Sequence, residues 1–308
     1  MLLGALALAT LPVCGEENGI GHYNPGQMAD FTDALPGYPS FAYVNIFTYY
    51  NGAAGGSEAF PISGGRLALG IDAVSYTDSS VLLWETPLKL LGGNYAVFAS
   101  IPYTWLTVSG NVITGPKTGQ TKQSVNGIGD MYFAPFALGW TNGDFKWDGR
   151  FGIYAPTGEY DKTALANPGL GFWTFEPEVT FSWISSKIGT EVSAFAGVDF
   201  NTENPESSYT SGDVFHLDLT VAQHLPFLGG IIGVGANGFW IQQFTGDSGA
   251  GAVAGSFKQQ ELGVGPVLSY IKKFKKTDLA VEVKWLPQMD VQNTMKGDYI
   301  WAKVALVF

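Results

Sequence analysis

Apolar and polar residues alternate along most of the chain from residue 42 onward. Residues 173–183 show the pattern most clearly, because apolar side chains occupy the odd positions and polar ones, including Glu176 and Glu178, the even positions. A period of two residues is typical of a β-strand with one apolar and one polar face. Clusters of Gly, Asn, Asp, Ser and Pro separate twelve predicted strands, at 42–50, 66–84, 94–109, 127–141, 144–155, 172–185, 189–200, 213–225, 230–244, 256–271, 277–286 and 298–308.

The predicted strands are long enough to cross a membrane. Strands in soluble proteins are usually about five or six residues long, whereas several of these run to ten or more. Trp173 and Trp183 bracket one apolar face, and the strand between them, tilted by about 40–45°, rises roughly 24 Å. That height matches the apolar band of an outer-membrane barrel, with an aromatic residue at each rim.

Short and long connections alternate between the predicted strands. Residues 51–65 and 110–126 form long connections, whereas Thr141–Asp144 and Ser185–Ile188 form short ones. Transmembrane barrels have short periplasmic turns and longer outer loops, so the alternation predicts that both termini are periplasmic. The last strand has an unbroken apolar face that ends in Phe308, which is typical of the signal recognised by the bacterial barrel-assembly machinery.

These patterns predict an all-β fold, a transmembrane up-and-down antiparallel β-barrel of about 12 strands over residues 42–308. Lipid offers backbone groups no hydrogen-bond partners, so a spanning sheet must close on itself. The outer wall would contact outer-membrane lipid and lipopolysaccharide. A soluble sandwich would show the same alternation, but it would not explain the strand lengths or the alternating connections.

The chain before the first strand divides into two parts. Residues 1–15 form an apolar run that is too short to span a bilayer and that resembles the hydrophobic region of a secretory signal peptide. A buried N-terminal helix is the alternative interpretation. Residues 16–41 are rich in Gly and Pro, and they could lie at the periplasmic mouth or insert into the lumen.

Composition and charge exclude several classes of protein. The 308 residues carry a net charge of −11, which does not suit a nucleic-acid-binding protein. Cys14 is the single cysteine, so no disulfide framework is possible. Only 14% of residues are charged and 46% are hydrophobic, a balance that a lipid-facing wall explains.

If the apolar faces contact lipid, the polar faces line a lumen. The predicted lumen-lining residues, which would form a path for a solute, are Lys146, Asp148, Arg150, Glu176, Glu178, Glu191, His216, Asp218, Glu261, Glu282, Lys284 and Lys303. One interpretation is that these charges pair with one another across neighbouring strands and brace the wall. The other is that some of them select solutes, and the excess of acidic residues would then disfavour anions.

The sequence offers no recognisable catalytic or metal-binding motif. His216 and His224 share a strand face but would lie about 26 Å apart, so they cannot ligate one metal ion. His216 and Asp218 could touch, but no nucleophile motif accompanies them. We therefore expect no enzyme activity, no catalytic residues, no metal and no cofactor.

Three motifs carry a family resemblance. They are Gly19-Ile-Gly-His-Tyr-Asn-Pro-Gly26, Asn126-Gly-Ile-Gly-Asp130 leading into Tyr132-Phe-Ala-Pro135, and Phe151-Gly-Ile-Tyr-Ala-Pro-Thr-Gly-Glu-Tyr160. The chain resembles the meta-pathway phenol-degradation family of outer-membrane proteins. The resemblance implies a barrel in a Gram-negative outer membrane that transports hydrophobic or aromatic compounds, and it supplies no catalytic residues.

The leading hypothesis is thus a channel or transporter for passive uptake of small hydrophobic or aromatic compounds. Two alternatives stay open. One is an outer-membrane enzyme that modifies lipid, which would need a Ser–His or Glu–His arrangement at a rim. The other is a structural or adhesive barrel with no transport role.

Overall fold

The computed structural model describes residues 16–31, 33–114, 117–253 and 255–308. These residues form thirteen β-strands and two short 3-10 turns, Glu17–Gly19 and Ser63–Gly65. The strands are β1 (Ser40–Ile62), β2 (Arg66–Leu90), β3 (Gly93–Thr114), β4 (Lys117–Ile128), β5 (Met131–Asn142), β6 (Phe145–Ala155), β7 (Thr174–Ile184), β8 (Thr190–Asn201), β9 (Val214–Phe227), β10 (Gly230–Gln243), β11 (Gln260–Lys273), β12 (Asp278–Gln292) and β13 (Lys296–Val307). Within the described ranges, no helix is long and apolar enough to span a bilayer.

The sheet closes on itself. β1 pairs with β2 on one side and with β13 on the other, always antiparallel. β3 is shared between two partners, because its first half pairs with β5 and its second half with β4. The closed circuit therefore contains twelve strands, with β4 as one extra strand. This arrangement confirms the predicted antiparallel barrel.

Each strand presents an apolar face outward and a mixed face inward. On β7 the residues Thr174, Glu176 and Glu178 are buried, whereas Val179 and Phe181 between the inward positions are exposed. An exposed apolar band around a closed sheet is the surface that lipid requires.

Two predicted long connections are paired strands instead. β1 continues through most of 51–65 and pairs there with the start of β2, Ala59 with Leu69 and Ile62 with Arg66. β3 and β4 likewise pair through most of 110–126. Both predicted loops are therefore wrong: these stretches have no regular alternation of apolar and polar residues in the sequence, yet their backbones pair.

Four prolines lie where the ladder to a neighbouring strand changes. Pro102 sits where β3 leaves β5 and begins to pair with β4. Pro135 lies inside a register shift between β5 and β6. Pro177 and Pro266 lie in gaps of the β7–β8 and β11–β12 ladders. Since proline cannot donate a backbone hydrogen bond, these interruptions allow it inside a closed wall.

The outward face of β7 gives a test of the lipid-facing wall. Val179 lies near the middle of that face and is 60% exposed. Replacing it with Lys should lower the free energy of unfolding by about 2–4 kcal/mol, because a cation at the bilayer midplane loses its hydration. Denaturant titration in lipid vesicles, followed by tryptophan fluorescence, measures the loss.

Ile188→Lys is the matched control. Ile188 is 65% exposed but lies in the turn between β7 and β8, where a charge should cost less than about 1 kcal/mol. Equal losses at Val179 and Ile188 would contradict the assignment of the membrane-facing band.

Candidate functional site

The N-terminal segment, residues 16–39, runs through the barrel from one end to the other. We call one end the long-connection end; it carries residues 63–65, 156–173, 202–213, 244–259 and 293–295. The short-turn end carries residues 91–92, 143–144, 185–189, 228–229 and 274–277. Glu16 N donates to Asp247 at the long-connection end (3.1 Å), and Gly37 N donates to Glu85 near the short-turn end (3.0 Å).

The two ends of the described chain therefore lie at opposite ends of the barrel. Phe308 pairs with Phe41 at the short-turn end, whereas Glu16 lies at the long-connection end. The segment thus crosses the interior before β1 begins, and the predicted periplasmic location of both termini stays a prediction. The predicted signal peptide, residues 1–15, lies outside the described residues.

Glu17 ties the start of the segment to several connections at once. Its carboxylate accepts hydrogen bonds from Gly64 N (2.9 Å), Tyr160 OH (2.6 Å), Asn204 Nδ2 (3.0 Å) and Ser207 Oγ (3.1 Å). Burial raises the pKa of Glu17, and these hydrogen bonds oppose that rise by favouring the ionised form. One buried carboxylate thus binds three different connections to the start of the segment.

Charged side chains of the wall hold the middle of the segment. Asp218 on β9 accepts hydrogen bonds from Tyr23 OH (2.5 Å), Gly26 N (3.2 Å) and Met28 N (3.1 Å). Lys284 on β12 donates to the carbonyl oxygens of Gly26 (3.2 Å) and Met28 (3.1 Å). A segment without regular structure thereby satisfies its buried backbone groups.

Two aspartates anchor the last part of the segment. Lys303 Nζ lies 2.5 Å from Asp30 Oδ2 and 2.9 Å from Asp33 Oδ1. The carbonyl of Asp33 accepts a hydrogen bond from Arg150, which also pairs with Asp148 (2.6 Å).

The structure places the twelve predicted lumen residues on inward faces; eleven are buried and Lys146 is half-buried. Those that bond the N-terminal segment are Lys146, Asp148, Arg150, Asp218, Glu282, Lys284 and Lys303. The others are Glu176, Glu178, Glu191, His216 and Glu261. Arg150 stands opposite Glu178 in register, but its ion pair is with Asp148 on its own strand. A role for these residues in solute passage stays a prediction.

His22, for which the sequence predicted no role, connects the N-terminal segment to the barrel wall through both ring nitrogens. His22 Nε2 lies 3.0 Å from Asp130 Oδ2, and Nδ1 lies 2.7 Å from Thr174 Oγ1. Asp130 also accepts hydrogen bonds from Gly158 N (2.9 Å) and Leu170 N (2.6 Å), both in the connection between β6 and β7. The available signal was that His22 and Asp130 each lie in one of the three motifs on which the family resemblance rested.

A cavity of about 270 Å³ lies between the N-terminal segment and the inward faces of β1, β2 and β3. These three strands contribute an uncharged arc: Val44, Ile46, Tyr50, Ile62, Ile71, Ala73, Ser75, Thr77, Ser79, Val81, Leu83, Phe98, Ser100, Pro102, Thr104, Leu106 and Val108. Polar side chains across the cavity are His22, Asp33, Asp130, Tyr132, Arg150, Tyr154, Glu176, Glu178 and Lys303. The cavity lining is mostly apolar, and its volume is close to the lower limit of about 300 Å³ for small-molecule sites.

The wall beside this cavity has an unpaired strand edge. β4 pairs with β3 and, within the described residues, with no strand on its other side. The connection 156–173 packs against β4, because Gln123 Oε1 on β4 accepts hydrogen bonds from Leu165 N (2.6 Å) and Ala166 N (3.3 Å). Leu165, Ala166 and Pro168 also line the cavity. This loop therefore lies between β4 and the cavity.

Comparison with known families gives one match. A family model described as "Putative MetA-pathway of phenol degradation" matches residues 56–304. The matched region contains the motifs at 126–135 and 151–160 and leaves out the motif at 19–26. No curated protein sequence matches significantly.

Solved structures of outer-membrane proteins have a similar architecture. The COG4313 outer membrane channel from Pseudomonas putida F1 is 14% identical, with a TM-score of 0.61 over 93% of this chain and 100% of that chain. The β domain of the Bordetella autotransporter BrkA is 12% identical, with a TM-score of 0.46 over 87% of this chain and 99% of that chain. At such low identity the channel supports the outer-membrane barrel fold and nothing finer.

Replacing Glu17 with Gln should loosen the start of the segment. Gln keeps one acceptor oxygen, so two of the four donors lose their partner, at a cost of about 2–4 kcal/mol for buried groups. Amide hydrogen exchange across residues 16–25 of the refolded protein should become faster. Glu203→Gln, at an exposed position in the connection 202–213, is the control and should leave exchange unchanged. Unchanged exchange in the Glu17 variant would contradict its anchoring role.

Glu16 should make docking of the segment depend on pH. Burial, followed by the negative charges of Asp199 and Asp247, raises the pKa of Glu16 well above its usual value of 4.5. The docked segment favours the protonated form of Glu16. The stabilisation of docking by Glu16 is therefore complete below pH 4.5 and is lost as the pH rises through the raised pKa. Hydrogen exchange of the segment, corrected for intrinsic rates, should accelerate with pH in the wild type and less steeply in Glu16→Gln. Identical slopes would contradict this account.

Proposed function

This chain belongs to the phenol-degradation family whose model it matches, and from that premise we propose that it is an outer-membrane channel for passive uptake of small hydrophobic or aromatic compounds. The main support for this proposal is the mostly apolar cavity inside the barrel. An interior that served only hydrated solutes would not need an uncharged arc across three neighbouring strands.

The uncharged arc offers an apolar compound a place to leave water. A one-ring aromatic that buries about 150 Å² of its surface gains roughly 4 kcal/mol. The hydroxyls of Ser75, Thr77, Ser100 and Thr104 line the same cavity and could accept or donate a hydrogen bond to a phenolic group. Both features suit compounds that are small, aromatic and weakly polar.

The N-terminal segment would keep larger hydrated solutes out. Its contacts run from Asp247 at the long-connection end to Glu85 near the short-turn end. The backbone and the carboxylates of the segment bond the inward-facing charged residues, so the charges of the segment and of the wall largely compensate one another. We infer that a straight aqueous path through the barrel is closed while the segment is docked.

The unpaired edge of β4 suggests the exit for an apolar compound. The connection 156–173 lies between the cavity and that edge, so a shift of this loop would open the cavity sideways to the bilayer. The loop is held by Gln123, by Asp130 and, through Asp130, by His22. A compound that left by this route would enter lipid and would avoid the charged interior.

We also propose the orientation of the barrel. The short-turn end would face the periplasm, as in other outer-membrane barrels, which places Phe308 there and Glu16 toward the outside. The outward face of β13, ending in Phe308, would then be the surface that the assembly machinery recognises, and the wall would contact lipid and lipopolysaccharide.

A lipid-modifying enzyme is the less favoured function. Thr174, His22 and Asp130 form a hydroxyl–imidazole–carboxylate series that resembles a catalytic triad. Thr174 is fully buried, however, and its hydroxyl donates to Asn201 Oδ1 (2.6 Å). A hydroxyl held in that way is not presented to a substrate in the cavity.

Filling the cavity should block uptake. Cells of a Gram-negative host that produce the protein should accumulate radiolabelled naphthalene faster than cells without it. Ala73→Trp places a large side chain in the uncharged arc and should bring the rate close to that of cells without the protein. Val221→Trp, on the outward face of β9, is the matched control and should keep the rate. Equal uptake by Ala73→Trp and wild type would contradict passage through the cavity.

A reversible disulfide tests the sideways exit. A Cβ built on Gly127 of β4 would lie 3.6 Å from Cβ of Pro168, within the range of about 3.5–4.5 Å that a disulfide needs. In a Cys14→Ser background, the Gly127→Cys/Pro168→Cys protein should take up naphthalene slowly when oxidised and normally when reduced. Normal uptake by the oxidised protein would exclude this exit and leave uptake itself standing.

A further inference from the structure

Three titratable side chains from three neighbouring strands meet on the inward face. Glu176 lies on β7, Asp199 on β8 and His216 on β9. His216 Nε2 is 2.7 Å from Glu176 Oε1 and 3.7 Å from Asp199 Oδ1, and one donor atom from each residue lies within 4.8 Å of the other two. All three side chains are buried.

The facing atoms of this cluster lack hydrogen-bond partners. Glu176 Oε1, Asp199 Oδ1 and His216 Nε2 are buried, and none of them makes a hydrogen bond of acceptable geometry to any described residue. An unsatisfied buried polar atom costs about 1–3 kcal/mol, and more when charged. Three such atoms converging on one point indicate a missing common partner.

The charge of the cluster points to the same conclusion. The two carboxylates face one imidazole, so even with His216 protonated the ionised cluster keeps a net negative charge. Among the described residues, no lysine or arginine nitrogen lies within 4.0 Å of either carboxylate. A buried net charge is strongly unfavourable, so a further cation belongs there.

We propose that Glu176, Asp199 and His216 bind one divalent transition-metal ion such as Zn²⁺. One imidazole nitrogen and two carboxylate oxygens are a ligand set that zinc accepts, at about 2.0–2.2 Å from the metal. In a tetrahedral site such ligands stand about 3.3 Å apart, between the 2.7 Å from His216 Nε2 to Glu176 Oε1 and the 3.7 Å from His216 Nε2 to Asp199 Oδ1. Ca²⁺ and Mg²⁺ prefer oxygen ligands alone and should not compete.

The surroundings shape the site. Gly197 stands opposite His216 in the β8–β9 ladder, and a Cβ at Gly197 would collide with the imidazole. The ring of Tyr23 stacks on His216 with 3.8 Å between centroids, so the docked N-terminal segment covers the site. Glu176 lines the cavity, which gives the ion a way in.

This inference departs from the expectation of no metal site. That expectation rested on the distance between His216 and His224, which share one strand. The partners of His216 are acidic residues on β7 and β8, and only the register of three strands brings them together.

Metal binding by the full-length barrel tests the site directly. The protein, purified in detergent and stripped with a chelator, is dialysed against Zn²⁺ in the presence of excess Mg²⁺ and Ca²⁺, and bound zinc is measured by mass spectrometry. We expect one zinc per chain, and X-ray absorption should show a first shell of nitrogen and oxygen without sulfur. Wild-type protein that binds no zinc would overturn the proposal without need of any variant.

Variants locate the ion. His216→Gln and Glu176→Gln should each weaken zinc binding by at least about 100-fold, and Co²⁺ should lose its visible absorption band in both. His224→Gln is the matched control, because His224 pairs with Glu191 (2.6 Å) as another buried His–Glu pair. Heat-modifiable migration in gels confirms that each variant folds. Equal zinc binding by wild type and His216→Gln would place the ion elsewhere and overturn the proposal.

Discussion

The structure depends on one constraint, which is that lipid provides no hydrogen-bond partner for the backbone. Every N–H and C=O at membrane depth must therefore bond within the sheet. The antiparallel pairing of β1 with β13 joins the two ends of the sheet and removes its open edges in the membrane. The exception is the outer edge of β4, which pairs with no strand among the described residues and whose Gln123 contacts the connection 156–173. The wall can open most easily at this edge, because no hydrogen bonds to a neighbouring strand have to break there.

Closure of the sheet also determines on which face of the strands charged residues can lie. Because the outward face must be apolar, charged residues of the strands turn inward, where they are crowded and largely dry. The N-terminal segment supplies much of what they need, since Asp30 and Asp33 meet Lys303, and backbone groups of Gly26 and Met28 meet Asp218 and Lys284. The uncharged arc of β1–β3 has no charges that the segment must neutralise, and the cavity lies along this arc. The barrel interior therefore contains an apolar site next to a region of paired charges.

Local patterns were sufficient to predict the barrel but not its interior. The alternation of β7 placed Glu176 inward because each polar residue is followed by an apolar one. β10 is rich in glycine and has no clear alternation, so its buried Phe239 and Ile241 could not be assigned a face. The contacts of Glu17, His22 and Glu176 join residues far apart in sequence. They follow from strand register and from the course of a segment without secondary structure, and neither leaves a periodic signal in the sequence.

The central claim is that a small apolar solute occupies the cavity beside β1, β2 and β3. A crystal structure of the protein soaked with bromobenzene, with the bromine located by anomalous scattering, tests it most directly. The account predicts a bromine peak in contact with Ala73 and Val108 on the inward face, with the N-terminal segment still docked. Bromine found only on the outer, lipid-facing wall, with none in the cavity, would contradict it.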